Sequence, residues 1–413
     1  SGLFFFPSLC YSAPQTAVPT QQESSVEKGK TPEITRDEAT GTVAKIVTLR
    51  SSNFHAHFRR DALMRAVTPI QLRGYKYVLA MPNTGPIRTI AEAHAYYNEL
   101  IRIADEEGLN KLSGILMTLY HTADITPAVI EQIAKQKIVR AVKHYPTHRP
   151  GQEGTTGSGF GRPLEEAGDM LRAMEETGVP LLGHFESVED NDGRMLPHSE
   201  REGYFVDNYL WGLRDKYPKL RICFEHCSTR KGVEFVKADS SGRTVCTITP
   251  QHLWFTADDF GRYSWRNHLR CMPYVKTEDD RQAVTDLATS GDMRAIAGDD
   301  TAPHLSAAKD KPFEQAACGC YLPHAIALYV AKFIRHGDAN LQDALNSYEH
   351  FACLNGPRFW GLPVPAEDDT VTIRYETRRD IPEPTPVPED NDFVIPLGWT
   401  AGSDKLKIGY ALD

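Results

Sequence analysis

The strongest constraint on how this chain can fold is a rhythm: eight β-rich runs alternate with helical segments between residues 44 and 299. The runs cover residues 44–49, 75–81, 114–120, 138–143, 180–184, 220–226, 243–249 and 294–299. Residues 90–107 and 163–177 carry apolar side chains at three- and four-residue intervals and stop at Gly108 and Gly178, as helices do. Further helices are expected over 127–136, 206–216, 231–238, 279–289 and 322–335. This alternation predicts an α/β fold, a (β/α)8 TIM-like barrel. An open doubly wound sheet has fewer strands and a glycine-rich first turn, and no Gly-x-Gly-x-x-Gly follows the first run.

The flanks differ in texture. Residues 1–41 are rich in Pro, Thr, Gln, Ser and Glu and read as an extension with little regular structure. The barrel is expected over 42–360, and beyond Gly361 Pro- and Asp-rich connections with β-like runs at 371–375, 393–396 and 406–410 read as a C-terminal wrap over 361–413. The 46 Lys and Arg against 55 Asp and Glu leave a formal charge of −9, with no basic run to follow a phosphate backbone, so nucleic acid is not the expected partner. Eight scattered cysteines suit a reducing, cytoplasmic setting better than a disulfide scaffold. No stretch is long and apolar enough for a membrane span, and no basic residue precedes Leu3 to Phe6 to make it a signal peptide.

Polar residues punctuate the strand ends. His55 and His57 stand two apart, which on extended backbone turns both rings the same way, as a zinc site requires. Lys143 closes the apolar run 138–142. Kept neutral by burial, a lysine there can add carbon dioxide, and the resulting carbamate has two oxygens with which to bridge metals. His184 and His226 close the next two runs, and Asp300, with Asp299 as its rival, follows the last. These residues supply two ions: a histidine pair, an aspartate and the carbamate for one, and a histidine pair with the same carbamate for the other. Two such ions about 3.5 to 4 Å apart share a hydroxide that can attack an amide carbonyl. Cys318 and Cys320, without a second close pair, are not expected to bind metal.

Eight landmarks in order then resemble a known family. They are Asn53-Phe-His-Ala-His-Phe-Arg59, Ala80-Met-Pro-Asn83, Val142-Lys143-His-Tyr-Pro146, Leu181-Leu-Gly-His184, Phe224-Glu-His226, Ile248-Thr-Pro-Gln-His-Leu253, Gly298-Asp-Asp300-Thr-Ala-Pro-His304 and Asn355-Gly-Pro-Arg-Phe-Trp-Gly-Leu-Pro363. Together they resemble the single-chain dihydroorotases of the amidohydrolase superfamily, from about residue 44 to the C-terminus. The resemblance implies a metal-dependent amidohydrolase-type barrel that interconverts L-dihydroorotate and N-carbamoyl-L-aspartate in pyrimidine biosynthesis, commonly as a homodimer.

Carried over by position, the resemblance implies two zinc ions bridged by carboxylated Lys143 and a hydroxide. His55, His57, Lys143 and Asp300 hold one ion, and Lys143, His184 and His226 the other. The four-residue step from Asp300 to His304 matches the family and favours Asp300 over Asp299 as ligand and proton carrier. Arg59, Asn83 and His304 match residues that grip the substrate carboxylate, Met272 a backbone contact to the ring, and Thr155 and Thr156 the tip of a closing loop. The chain departs from the family at Asn53, usually Asp, at the extra Arg60, and at Phe185, where glycine is common. Two rival readings remain: a hydantoinase- or imidase-like amidohydrolase acting on a related ring, and a non-catalytic barrel scaffold. Arg59, Asn83 and His304 separate the first rival, since a ring without a carboxylate leaves them no partner.

Overall fold

The structure is a computed structural model that describes residues 33–38, 40, 43–109, 114–146, 162–335, 340–375, 381–401, 406, 407 and 409–412. Its strands are β1 (Glu33–Arg36), β2 (Val43–Leu49), β3 (Ser51–Ala56), β4 (Tyr75–Ala80), β5 (Gly114–Tyr120), β6 (Val139–His144), β7 (Leu181–Gly183), β8 (Ile222–Phe224), β9 (Thr244–Ile248) and β10 (Ala295–Ala297). After these come β11 (Thr370–Tyr375), β12 (Thr385–Val387), β13 (Asp392–Val394) and β14 (Tyr410–Leu412). Strands β3 to β10 form one parallel sheet in sequence order. A parallel bridge between Ala56 and Thr301 joins the sheet's two ends and curls it into the expected barrel. The His57 amide also donates to Thr301 O at 3.0 Å, and the Asp300 amide to His55 O at 2.9 Å.

One strand assignment is corrected. Residues 44–49, expected to open the barrel, lie in β2, which pairs antiparallel with β1 and β11, while β14 pairs with β11. The barrel opens instead at β3. Burial explains the difference: β2 alternates buried with half-exposed residues, as a one-sided antiparallel sheet does, whereas every residue of β3 is buried. Glu33–Arg36, inside the expected N-terminal extension, forms β1 of this small sheet.

Threonines cap several of the helices. Thr89 and Thr277 make capping boxes with Glu92 and Asp280, and Thr126 and Thr229 cap the helices Pro127–Ala134 and Arg230–Ala238. Residues 163–166 do not start a helix as expected; a 3-10 turn precedes the helix Gly168–Thr177. Helices also occur at Asp61–Leu72, despite Pro69 inside it, and at Leu341–Glu349 and Asn355–Trp360. Among the described residues no helix is long and apolar enough to cross a membrane.

Period-two alternation along the barrel strands builds the floor of the site. Ala141, Leu182, Cys223, Val245 and Ile296 belong to one buried apolar cluster, closed from below by Phe359 and Trp360. Two residues further along each strand, on the same face, stand Lys143, His184, Glu225, Thr247 and Gly298. A polar layer therefore sits directly above an apolar one, at the strands' C-terminal ends.

Candidate active site

His55, His57, His184, His226 and Asp300 line one cleft with Arg59, Asn83, Tyr145, Met272 and Cys318. His55 lies 1% exposed and His57 5% exposed, and burial drives both imidazoles toward the neutral form. Each has its other ring nitrogen engaged from behind: His55 Nδ1 donates to Glu225 Oε2, and His57 Nδ1 to Asn83 Oδ1 at 2.7 Å. That leaves each Nε2 with a lone pair. Those nitrogens lie 3.3 Å and 3.0 Å from the same oxygen, Asp300 Oδ1. Three electron-pair donors thus converge with no proton to share, an arrangement that a cation neutralises.

The second half of the cluster adjoins the first. The His184 and His226 rings meet edge to face with centroids 4.5 Å apart, and His226 lies 5.1 Å from His55. His184 Nε2 donates to Glu186 Oε2 at 2.7 Å, so its Nδ1 carries the free lone pair. The Nδ1 atom of His226 has no hydrogen-bond partner. Lys143 is fully buried beneath them, its Nζ has no hydrogen-bond partner, and burial lowers its pKa. The neutral form of a primary amine is the one that can add carbon dioxide, and burial shifts Lys143 toward that form while Glu225 and Asp300 oppose the shift.

Backbone strain concentrates here. Arg59, His226 and Asp300 are non-glycine residues at φ +64°, +41° and +48°. Such conformations cost on the order of 1–3 kcal/mol each and persist where the surroundings over-determine them. The alternation that turns Glu225 inward would carry His226 outward, and the left-handed turn lets its ring re-enter the cleft. Gly298 meets a related demand: a Cβ there would lie 2.8 Å from Thr247 and 3.0 Å from His55 Cβ, so only glycine lets the last strand close against the first.

The two aspartates separate cleanly. Asp300 faces the histidines, whereas Asp299 turns away, accepting from Tyr75 and from Asn53 Nδ2 at 2.9 Å, and burial pushes its carboxyl up to about 7. Arg59 Nε donates to Pro303 O at 2.8 Å and its Nη2 lies 2.9 Å from His304 Nε2, while Nη1 is buried without a partner. Arg59 therefore presents one unused N–H edge at the cleft. Thr155 and Thr156 lie outside the described residues.

Reading the sequence missed Glu225, Glu186 and Lys276. Glu186 bridges His184 and Lys276, whose Nζ lies 3.3 Å from Glu186 Oε1 with both side chains buried. Thr247 Oγ1 donates to Glu225 at 2.8 Å. For Glu186 and Glu225 the sequence carries only a partial signal: a carboxylate within or just after an apolar run needs a buried partner, but the run does not say which.

The parallel barrel gathers imidazoles, a carboxylate and an amine at the C-terminal mouth of its strands, where enzymes of this barrel class carry their active sites. Comparison with known proteins sharpens this. The chain is 38% identical over 353 residues to a dihydroorotase of Halorhodospira halophila, covering 84% of this chain and 94% of that one. It is 34% identical over 357 residues to one of Picosynechococcus, covering 86% and 95%. A Saccharomyces cerevisiae dihydroorotase solved with 5-fluoroorotic acid superposes with a TM-score of 0.75 at 24% identity, covering 90% of this chain and 99% of that one. No family model matches the chain. The chain belongs to the dihydroorotase family, and it is a hydrolase of cyclic amides.

Proposed function

We propose that this protein is a two-zinc dihydroorotase, interconverting L-dihydroorotate and N-carbamoyl-L-aspartate in pyrimidine synthesis. The observation that carries the reading is the convergence of His55 Nε2, His57 Nε2 and Asp300 Oδ1 above an unpartnered, buried Lys143 amine. The residues fit the metals: neutral imidazoles with free lone pairs, a carboxylate, and an amine placed to become a bridging carbamate. His55, His57, Lys143 and Asp300 would hold one ion, and Lys143, His184 and His226 the other. Bound there, the ions would polarise the ring amide and lower the pKa of the attacking water.

The chain's own residues supply the rest. Arg59 Nη1, with His304 beside it, offers donors to the substrate carboxylate, a group that dihydrouracil lacks. Asn83 holds His57 from behind and lines the same cleft, and Met272, which also lines it, would contact the ring through its backbone. Asp300 would accept the proton of the water that adds to the amide carbon, then deliver it to the ring nitrogen as the C–N bond breaks. The catalytic unit is assigned to residues 42–360, with 1–41 and 361–413 as flanking extensions. Free thiols at all described cysteines suit a reducing, cytoplasmic setting, and the resemblance supports a homodimer.

The test combines metal analysis with turnover. Lys143→Ala should abolish metal-dependent activity, and Asp300→Ala should retain some metal with almost no turnover. L-dihydroorotate should be opened far faster than dihydrouracil. Wild-type rates in either variant, or a preference for dihydrouracil, would overturn the reading.

A further inference from the structure

A second cavity, of about 300 Å³, lies outside the barrel between the helices Asp61–Leu72 and Ala325–Phe333, with β14 as part of its wall. It shares no lining residue with the catalytic cleft. Asp299 and Thr301 line it, while their neighbours Asp300 and Ala302 line the cleft, so the two spaces lie on opposite sides of one stretch of backbone.

Its polar content is unusual. Gln71 is 3% exposed and His324 6% exposed, yet both side-chain polar atoms of each lack a hydrogen-bond partner. Buried polar groups are ordinarily paired, so these four atoms mark missing contacts. The carboxamide offers an acceptor beside a donor, and burial holds the His324 imidazole neutral, with one donor and one acceptor. Around them Ile70, Leu322, Ile326 and Leu412 supply apolar wall, with Asp299, Thr301, Thr385 and Tyr410 as further polar lining. The charged Arg73 and Glu383 are exposed, at the rim. Water can satisfy Gln71 and His324 but gains nothing from the apolar walls, whereas a flat ring with a polar edge satisfies both.

We propose that this cavity is a second small-molecule site, separate from the catalytic cleft, for a neutral planar ring carrying an N–H beside a C=O, gripped by Gln71 and His324. The site stands independently of the reaction assigned above. Uracil, a neutral ring with an N–H between two carbonyls, is the probe. Crystals of the unaltered protein soaked in uracil should show the ring bridging Gln71 and His324. Calorimetry should show roughly tenfold weaker binding in both Gln71→Leu and His324→Phe, the loss expected when a hydrogen-bonding pair is removed. Turnover by both variants should stay unchanged, because neither residue lines the catalytic cleft. Water alone in the soaked cavity, uracil only in the catalytic cleft, or unchanged affinity in both variants would overturn the proposal. The soak uses the unaltered chain, so its outcome does not depend on either variant folding.

Discussion

At the scale of single residues, the site depends on what holds each imidazole from behind. Glu186 fixes His184 through Nε2 and balances the buried Lys276, so Glu186→Gln loses a charge that two neighbours need. Replacing such an outer partner typically weakens metal affinity about 10–100-fold. Glu186→Gln should therefore lose metal to a chelator at correspondingly lower concentration, while Glu186→Asp recovers part of the affinity. Equal retention by wild type and Glu186→Gln would show that the carboxylate does not position His184. That His55, His57 and an aspartate after the last strand meet in one cleft was legible because strand ends converge at a barrel mouth, whereas the preference for Asp300 over Asp299 came from the family resemblance and not from periodicity. Glu186 and Glu225 were not legible, because what a buried carboxylate binds is decided by neighbouring strands rather than by its own.

Among the elements, the C-terminal strands are tied to the barrel base through Asp369. Its carboxylate accepts from Arg50 Nε and from Lys76 Nζ, both at 2.6 Å, and its carbonyl accepts from the Arg50 amide at 2.8 Å. All three side chains are largely buried, so Asp369→Ala strands two cations in a poorly hydrated place. The expected cost is roughly 1–3 kcal/mol of stability, read by denaturant unfolding, with little change in metal content; no measurable loss would mean the cations find water. This junction also shows where sequence reading failed. β3 spells Ser-Ser-Asn-Phe-His-Ala, too polar to look like a buried strand, because a barrel strand that lines the cleft places polar groups inward. β2, with its apolar alternation, looked the better opening strand and belongs to the other sheet. The remaining barrel strands were legible because parallel strands buried on both faces read as continuous apolar runs. The helix Asp61–Leu72 was obscured by Pro69, which helical periodicity alone counts against.

For the whole molecule, the buried neutral histidines tie folding to pH, and His324 isolates the effect away from the catalytic cleft. Burial depresses its pKa to about 3, whereas in the unfolded chain it titrates near its ordinary value of about 6.5. Between those pH values the unfolded state holds one more proton than the folded state, so stability rises with pH across that window. His324 therefore contributes stability that is complete above about pH 6.5 and is lost progressively as pH falls toward 3. One proton corresponds to a slope of about 1.4 kcal/mol per pH unit. In His324→Phe that proton has no site to occupy in the unfolded chain, and the slope of unfolding free energy between pH 4 and 6 should flatten by up to this amount relative to wild type. Parallel curves for the two proteins would mean that His324 takes up its proton as readily in the folded state as in the unfolded one, and the neutral pairing that the second cavity requires would be lost.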